Sequence, residues 1–156
     1  MTDTMTVLVA RTDGTIHYMH SVPNTLEALQ MLVDGFIEAA PARLLRGSPS
    51  DIICIVNEEG EIIGLPMNPL VPEYAGDVVF VRTNGEDFDG LSAEDMADIT
   101  RALAIRYAIT HQTDGNCCKK CNSCRDIRTT HQADAMPRTF ITDWQQLPGR
   151  HPGGSK

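Results

Sequence analysis

The chain has 156 residues, 42% of them hydrophobic, which suits one compact domain with an appendage and a modest core. Its formal net charge is −8, but residues 1–100 carry 17 acidic and 4 basic side chains, a net of −13, whereas residues 101–156 carry 4 and 9, a net of +5. No apolar run reaches the length of a membrane span and the polar, acidic start has no basic-then-apolar leader, so a cytoplasmic protein without membrane contact is expected.

Residues 6–10 are apolar and β-branched and predict a strand, and residues 11–14 supply a turn in which Gly14 is free to take positive φ. Residues 15–20 alternate weakly and predict the second strand of an opening hairpin. Asn24, with Glu27 three positions on, predicts the N-cap of a short helix. Leu26, Leu29, Met31, Leu32 and Val33 form its apolar face, and Gly35 ends it. Residues 36–40 lead into a strand stopped by Pro41, and residues 48–50 form a loop. The most apolar run, residues 51–56, predicts a central strand. Residues 57–60 are expected to turn the chain into 61–65 as its hairpin partner, with Pro66 and Pro69 preventing extension; residues 78–82 predict a further strand.

Residues 84–90 read as an acidic loop. Ser92 predicts the cap of a second helix, with Asp95 at its third position and Met96, Ile99, Leu103 and Tyr107 at helical spacing. Glu94, Asp95 and Asp98 near its start and Arg101 and Arg106 near its end suit the helix dipole. Gly115 interrupts the pattern, and beyond Gln132 the prolines and glycines predict loop, with Phe140, Ile141 and Trp144 docking locally. Together these elements predict an α+β fold: a mostly antiparallel sheet with one or two packed helices, plus a cysteine-rich C-terminal segment. The expected division is an α+β domain at 1–90, a helical and cysteine-rich metal-binding segment at 91–135, and a flexible tail at 136–156.

Three segments, residues 25–38 (TLEALQMLVDGFIE), 57–68 (NEEGEIIGLPMN) and 76–81 (GDVVFV), occur in that order and at that spacing. Together they make the chain similar, over about residues 6–83, to a small domain family of unassigned function that is frequent in phages and bacterial mobile elements. The resemblance implies an accessory protein of such an element. It brings no catalytic residues with it, and it does not reach the four clustered cysteines. Within it, Asn57, Gly64 and Asn68 read as turn-forming residues that shape a hairpin.

Four of the five cysteines fall within eight residues, and an odd, clustered count points to metal or thiol chemistry rather than a disulfide framework. Cys118, Cys121 and Cys124 form C-x2-C-x2-C, a spacing that lets thiolates converge on one ion while backbone N–H groups point at the sulfurs. A closed zinc site needs four donors, so His131 or His111 is the expected fourth, with Cys117 a less comfortable sulfur because it adjoins Cys118. An iron–sulfur cluster is the alternative cofactor, but the ferredoxin-like motif fails after Cys124, and the remaining cysteine, Cys54, lies in a predicted buried strand. Positions 117, 121, 124, 128 and 131 also share one face if the stretch is helical, giving a metal-binding or small-residue packing face, and Cys121 with Cys124 could form a redox pair. Lys119, Lys120 and Arg125 would offset bound thiolates, and with Arg128 they are the expected nucleic-acid contacts.

His17 and His20, three apart on a predicted strand, are expected on opposite faces at the surface. Glu86, Asp87 and Asp89 lack the register of a calcium loop. No phosphate-binding glycine loop, nucleophile elbow or H-E-x-x-H pattern occurs, so no catalytic residue is assigned. The expected function is non-enzymatic: an accessory protein that binds a host protein or nucleic acid and carries a structural zinc, with a redox or iron–sulfur protein and a small-ligand-binding protein as alternatives.

Overall fold

The computed structural model describes residues 3–42, 51–84, 87–112 and 137–146. The elements run β1 (Thr4–Ala10), β2 (Ile16–Pro23), α1 (Leu26–Val33), β3 (Ile37–Pro41), β4 (Ile52–Asn57), β5 (Val78–Thr83), β6 (Phe88–Asp89), α2 (Ala93–Gln112) and β7 (Thr139–Asp143), followed by a 3-10 turn at Trp144–Gln146. The strands form one sheet in the order β3-β4-β5-β1-β2-β7, with β6 pairing on β5. Every pairing is antiparallel except β2 with β7, so the sheet is mixed. Among the described residues no helix is long and apolar enough to cross a membrane.

Alternation along the central strands sends side chains to two separate cores. Leu8, Ala10, Cys54, Val56, Val78 and Phe80 point to one face, where Met96, Ile99, Leu103 and Tyr107 of α2 cover them. Val7, Val9, Ile55, Val79 and Val81 point to the other, where Ala28, Leu29, Leu32 and Val33 of α1 and the buried Trp144 close over them. A sheet buried on both faces explains why the runs of β1, β4 and β5 are almost continuously apolar rather than alternating.

The α2 face follows its local signals closely. Ser92 Oγ accepts from the Asp95 backbone N–H (3.0 Å) and Asp95 Oδ2 accepts from the Ser92 N–H (3.0 Å), a reciprocal cap at the helix start. Arg82 on β5 then grips the same carboxylate through Nε (3.0 Å) and Nη2 (2.6 Å), fixing α2 to the sheet. Farther along, Tyr18 and Thr100 share a hydrogen bond between hydroxyls (2.6 Å), and Arg106 pairs with Glu73.

Elsewhere the structure departs from expectation. Thr25, not Asn24, caps α1: its hydroxyl accepts from the Ala28 N–H (3.2 Å), because the Asn24 amide is occupied donating to the Phe88 carbonyl (2.9 Å). The helix ends with Asp34 in the left-handed region (φ 62°), one residue before Gly35. Residues 61–65 do not pair as a strand. Both edges of β4 are already taken, by β3 and β5, so the chain after Asn57 instead winds into helical turns: the Ile63 N–H donates to the Glu59 carbonyl and the Leu65 N–H to the Gly60 carbonyl. Where loop was expected, residues 139–143 add β7 to the sheet and deliver Trp144 to the α1-side core. No local pattern announces this strand, because its pairing partner lies more than a hundred residues away.

Candidate functional site

Cys117, Cys118, Cys121, Cys124 and His131, together with Lys119, Lys120, Arg125 and Arg128, lie outside the described residues. His111 falls in the last turn of α2, where the backbone alone is described. The described structure defines only the flanks of the stretch that carries these residues: α2 ends at Gln112 before it, and β7, paired parallel to β2, follows it. Among the described residues, no group of three histidine, cysteine, aspartate or glutamate side chains is placed to hold a metal ion.

The fifth cysteine has a separate role. Cys54 is a buried free thiol in β4, and burial, then the nearby Glu73 carboxylate, push its pKa up to about 12. A thiol held protonated in this way is neither a ready ligand nor a nucleophile. Cys54 acts as a small hydrophobe in the α2-side core.

The two histidines of β2 are half-buried rather than on the surface, and both are engaged. His20 Nδ1 bonds the Thr6 hydroxyl (3.1 Å). His17 sits between Thr15, whose hydroxyl meets Nε2 (2.9 Å), and Thr142, whose hydroxyl lies 3.4 Å from Nδ1, while its ring stacks on Phe140 at a centroid distance of 5.1 Å. Burial, then the charge of Arg11, lower the His17 pKa below its ordinary 6.5. These contacts tie β7 to β2. They also border a small cleft of about 110 Å3, lined by Val9, Met19 and Leu32 on its apolar side and by Arg11, His17, Asp77 and Thr142 on its polar side. Arg11 and Asp77 form an ion pair at 3.5 Å, so the cleft offers hydrogen bonds rather than net charge.

The buried amides are structural. Asn68 is fully buried and uses its whole hydrogen-bonding capacity: Nδ2 donates to the carbonyls of Ala10 (2.8 Å) and Gly76 (3.0 Å), and Oδ1 accepts from the N–H groups of Leu70 (2.9 Å) and Val71 (3.1 Å). Asn57 donates to the carbonyls of Val33 (3.0 Å) and Asp34 (3.1 Å) and accepts from the Glu59 N–H (2.8 Å). Both are turn-shaping residues, as their sequence context implies, and Gly64 takes the positive φ (82°) of the same region. Sequence reasoning missed the Arg82–Asp95 pair and the exposure of Ile62 and Ile63. The first joins two elements that carry no shared local pattern, and the second was hidden by assigning those isoleucines to a strand.

The fold is therefore an α+β domain: a mixed sheet covered by one helix on each face, with no catalytic arrangement assigned on it. Residues 5–104 match the family described as Domain of unknown function (DUF3846), and the chain belongs to that family. The match takes in β1 through the first half of α2, extending past the segments that carry the sequence resemblance and stopping short of the four clustered cysteines. No curated protein and no solved structure gives a significant match.

Proposed function

We propose that this chain is a cytoplasmic accessory protein of a phage or mobile element that acts by binding a host protein or a nucleic acid, with a structural zinc in the stretch that joins α2 to β7. The observation that carries the reading is the donor set in that stretch: Cys118, Cys121, Cys124 and His131, interleaved with Lys119, Lys120, Arg125 and Arg128. Three thiolates and an imidazole match zinc in hardness and number, and the cations beside them suit a phosphate backbone. Two structural facts support the reading. The stretch is flanked on both sides by elements of the described domain, α2 before it and β7 after it. An iron–sulfur cluster, the rival, would draw on Cys54 as its remote ligand, and burial holds that thiol protonated.

The test is titration of the full chain into labelled single- and double-stranded DNA and RNA at low and moderate salt. Binding that weakens steeply with salt is expected, and Lys119→Ala, Lys120→Ala, Arg125→Ala and Arg128→Ala combined should abolish it. Nucleic-acid binding unchanged in that variant would remove the basic stretch from the contact. Absence of any nucleic-acid binding would leave the host protein as the partner.

A further inference from the structure

Three large apolar side chains stand in solvent at one corner of the sandwich. Phe36, Ile62 and Ile63 are 64, 84 and 55% exposed. Phe36 leads into β3, an edge strand of the sheet, and the Glu58 N–H donates to its carbonyl (2.8 Å), which brings it against the turn that carries the two isoleucines. Grouped exposed apolar side chains of this size mark interaction surfaces more often than isolated ones do.

The corner is rigidly built. Asn57 clamps the end of α1 and the start of the turn at once. Gly35 approaches that amide so closely that a Cβ would sit 2.6 Å from Nδ2, and a Cβ on Gly60 would sit 2.6 Å from the Ala75 carbonyl oxygen. The hydrogen bonds from Ile63 N–H to the Glu59 carbonyl (3.0 Å) and from Leu65 N–H to the Gly60 carbonyl (2.9 Å) complete a wound turn that holds the isoleucines outward. Such pre-organisation lowers the ordering cost of docking a partner.

The rim is uniformly acidic. Asp34, Glu38, Glu58, Glu59 and Glu61 are all exposed around the apolar tip, and among the described residues no cation forms an ion pair with any of them. Arg11, at the same end of the sheet, is paired with Asp77, and Arg82 lies at the opposite end of β4 and β5, across from Ile52. An apolar tip in a field of carboxylates repels nucleic acid and anionic lipid and complements a positively charged protein segment.

We propose that this corner docks a cationic, amphipathic segment of a protein partner, whose apolar side chains pack on Phe36, Ile62 and Ile63 while its lysines and arginines meet the five carboxylates. The proposal rests on reading the chain as a binding protein and assigns the surface that a protein partner takes. That surface is opposite in charge to the basic stretch assigned to nucleic acid, and the two share no residue.

The test uses the full chain and a fluorescein-labelled 12-residue peptide of alternating lysine and leucine. Binding is followed by anisotropy and mapped by amide shifts in the isotope-labelled protein. Shifts confined to residues 34–38 and 57–65 are expected. Ile62→Ser with Ile63→Ser, and separately Glu58→Lys with Glu59→Lys and Glu61→Lys, should each weaken binding by at least about tenfold, since losing one good apolar or charged contact is worth that much. A peptide with glutamate in place of lysine should not bind. Should the triple variant fold poorly, Ile62→Ser alone decides the matter, because its side chain is almost wholly in solvent. Unchanged affinity in the isoleucine variant, or shifts centred elsewhere, overturns the proposal. So does concentration-dependent self-association of the parent chain that Ile62→Ser abolishes, which would make a second copy the occupant. None of these variants touches Lys119, Lys120, Arg125 or Arg128, so a corner that binds nothing leaves the nucleic-acid reading standing.

Discussion

The two faces of the sheet are closed by different means. On one, α2 arrives with its own cap, its own apolar stripe and a guanidinium from β5 that locks the cap to the sheet. On the other, α1 is only eight residues long and leaves part of the core to Trp144, which comes from the far end of the chain on a parallel edge strand. On the first face only the helix cap is local, since α2 packs back onto β1, β2 and β4; the second needs in addition Trp144, a contact that forms only once most of the chain is in place. Stability on the α1 face therefore depends on non-local pairing, whose loop-closure entropy must be met before the contact is made.

Substitutions at the two faces test this difference. The largest loss should come from Trp144→Ala, which empties a fully buried site and is expected to cost about 3–5 kcal/mol in urea unfolding. Trp144→Phe should cost much less, because the indole N–H is the one buried side-chain polar atom without a hydrogen-bond partner among the described residues. A Phe variant as damaging as the Ala variant would show that the N–H is engaged after all.

Asn68→Ala should follow at about 3 kcal/mol, since it leaves the carbonyls of Ala10 and Gly76 and the N–H groups of Leu70 and Val71 without their side-chain partner on the α2 side. Asp95→Ala removes the reciprocal cap and should cost about 1–2 kcal/mol by the same assay. The hydrogen bond from Arg82, aided by those from Ser92, holds the Asp95 carboxyl below its ordinary 3.8. Its contribution is thus complete above that value and is lost as the pH falls below it toward the folded value, so an acid titration of Asp95→Asn should be flatter there than that of the parent.

His17 gives a gentler effect at higher pH. Its folded pKa lies below 6.5, so the unfolded chain takes up the proton first, and stability should fall as the pH drops from 6.5 toward the folded value. His17→Asn should remove that slope, and a slope that survives the substitution would assign it elsewhere. The smallest effect belongs to neither face. Ile62→Ser should change stability by no more than about 0.5 kcal/mol, and a larger loss would mean that the isoleucine packs on the domain rather than waiting for a partner.

What was legible in the sequence divides along the same line. The capping box at Ser92 and Asp95, the spacing of Met96 to Tyr107 and the apolar runs of β1, β4 and β5 are local patterns, and each appears where its pattern puts it. The cap of α1 shifted by one residue because Asn24 had a distant alternative acceptor in Phe88. The isoleucines of 61–65 look like strand residues until one sees that β4 has no free edge to offer them. Strand β7 was illegible because a five-residue segment gains its identity from β2 and not from its own composition. For the candidate site, sequence supplies the donor types and spacing, while the structure supplies only the flanks, the end of α2 and the start of β7.

Metal content is the most direct measure of the role assigned to the cysteine stretch. The full chain, purified under reducing conditions, should carry about one zinc per molecule, and Cys121→Ser should lose most of it while the sheet domain keeps its circular-dichroism spectrum. A parent chain free of zinc, or one that carries iron with visible absorbance, would contradict a structural zinc at Cys118, Cys121, Cys124 and His131.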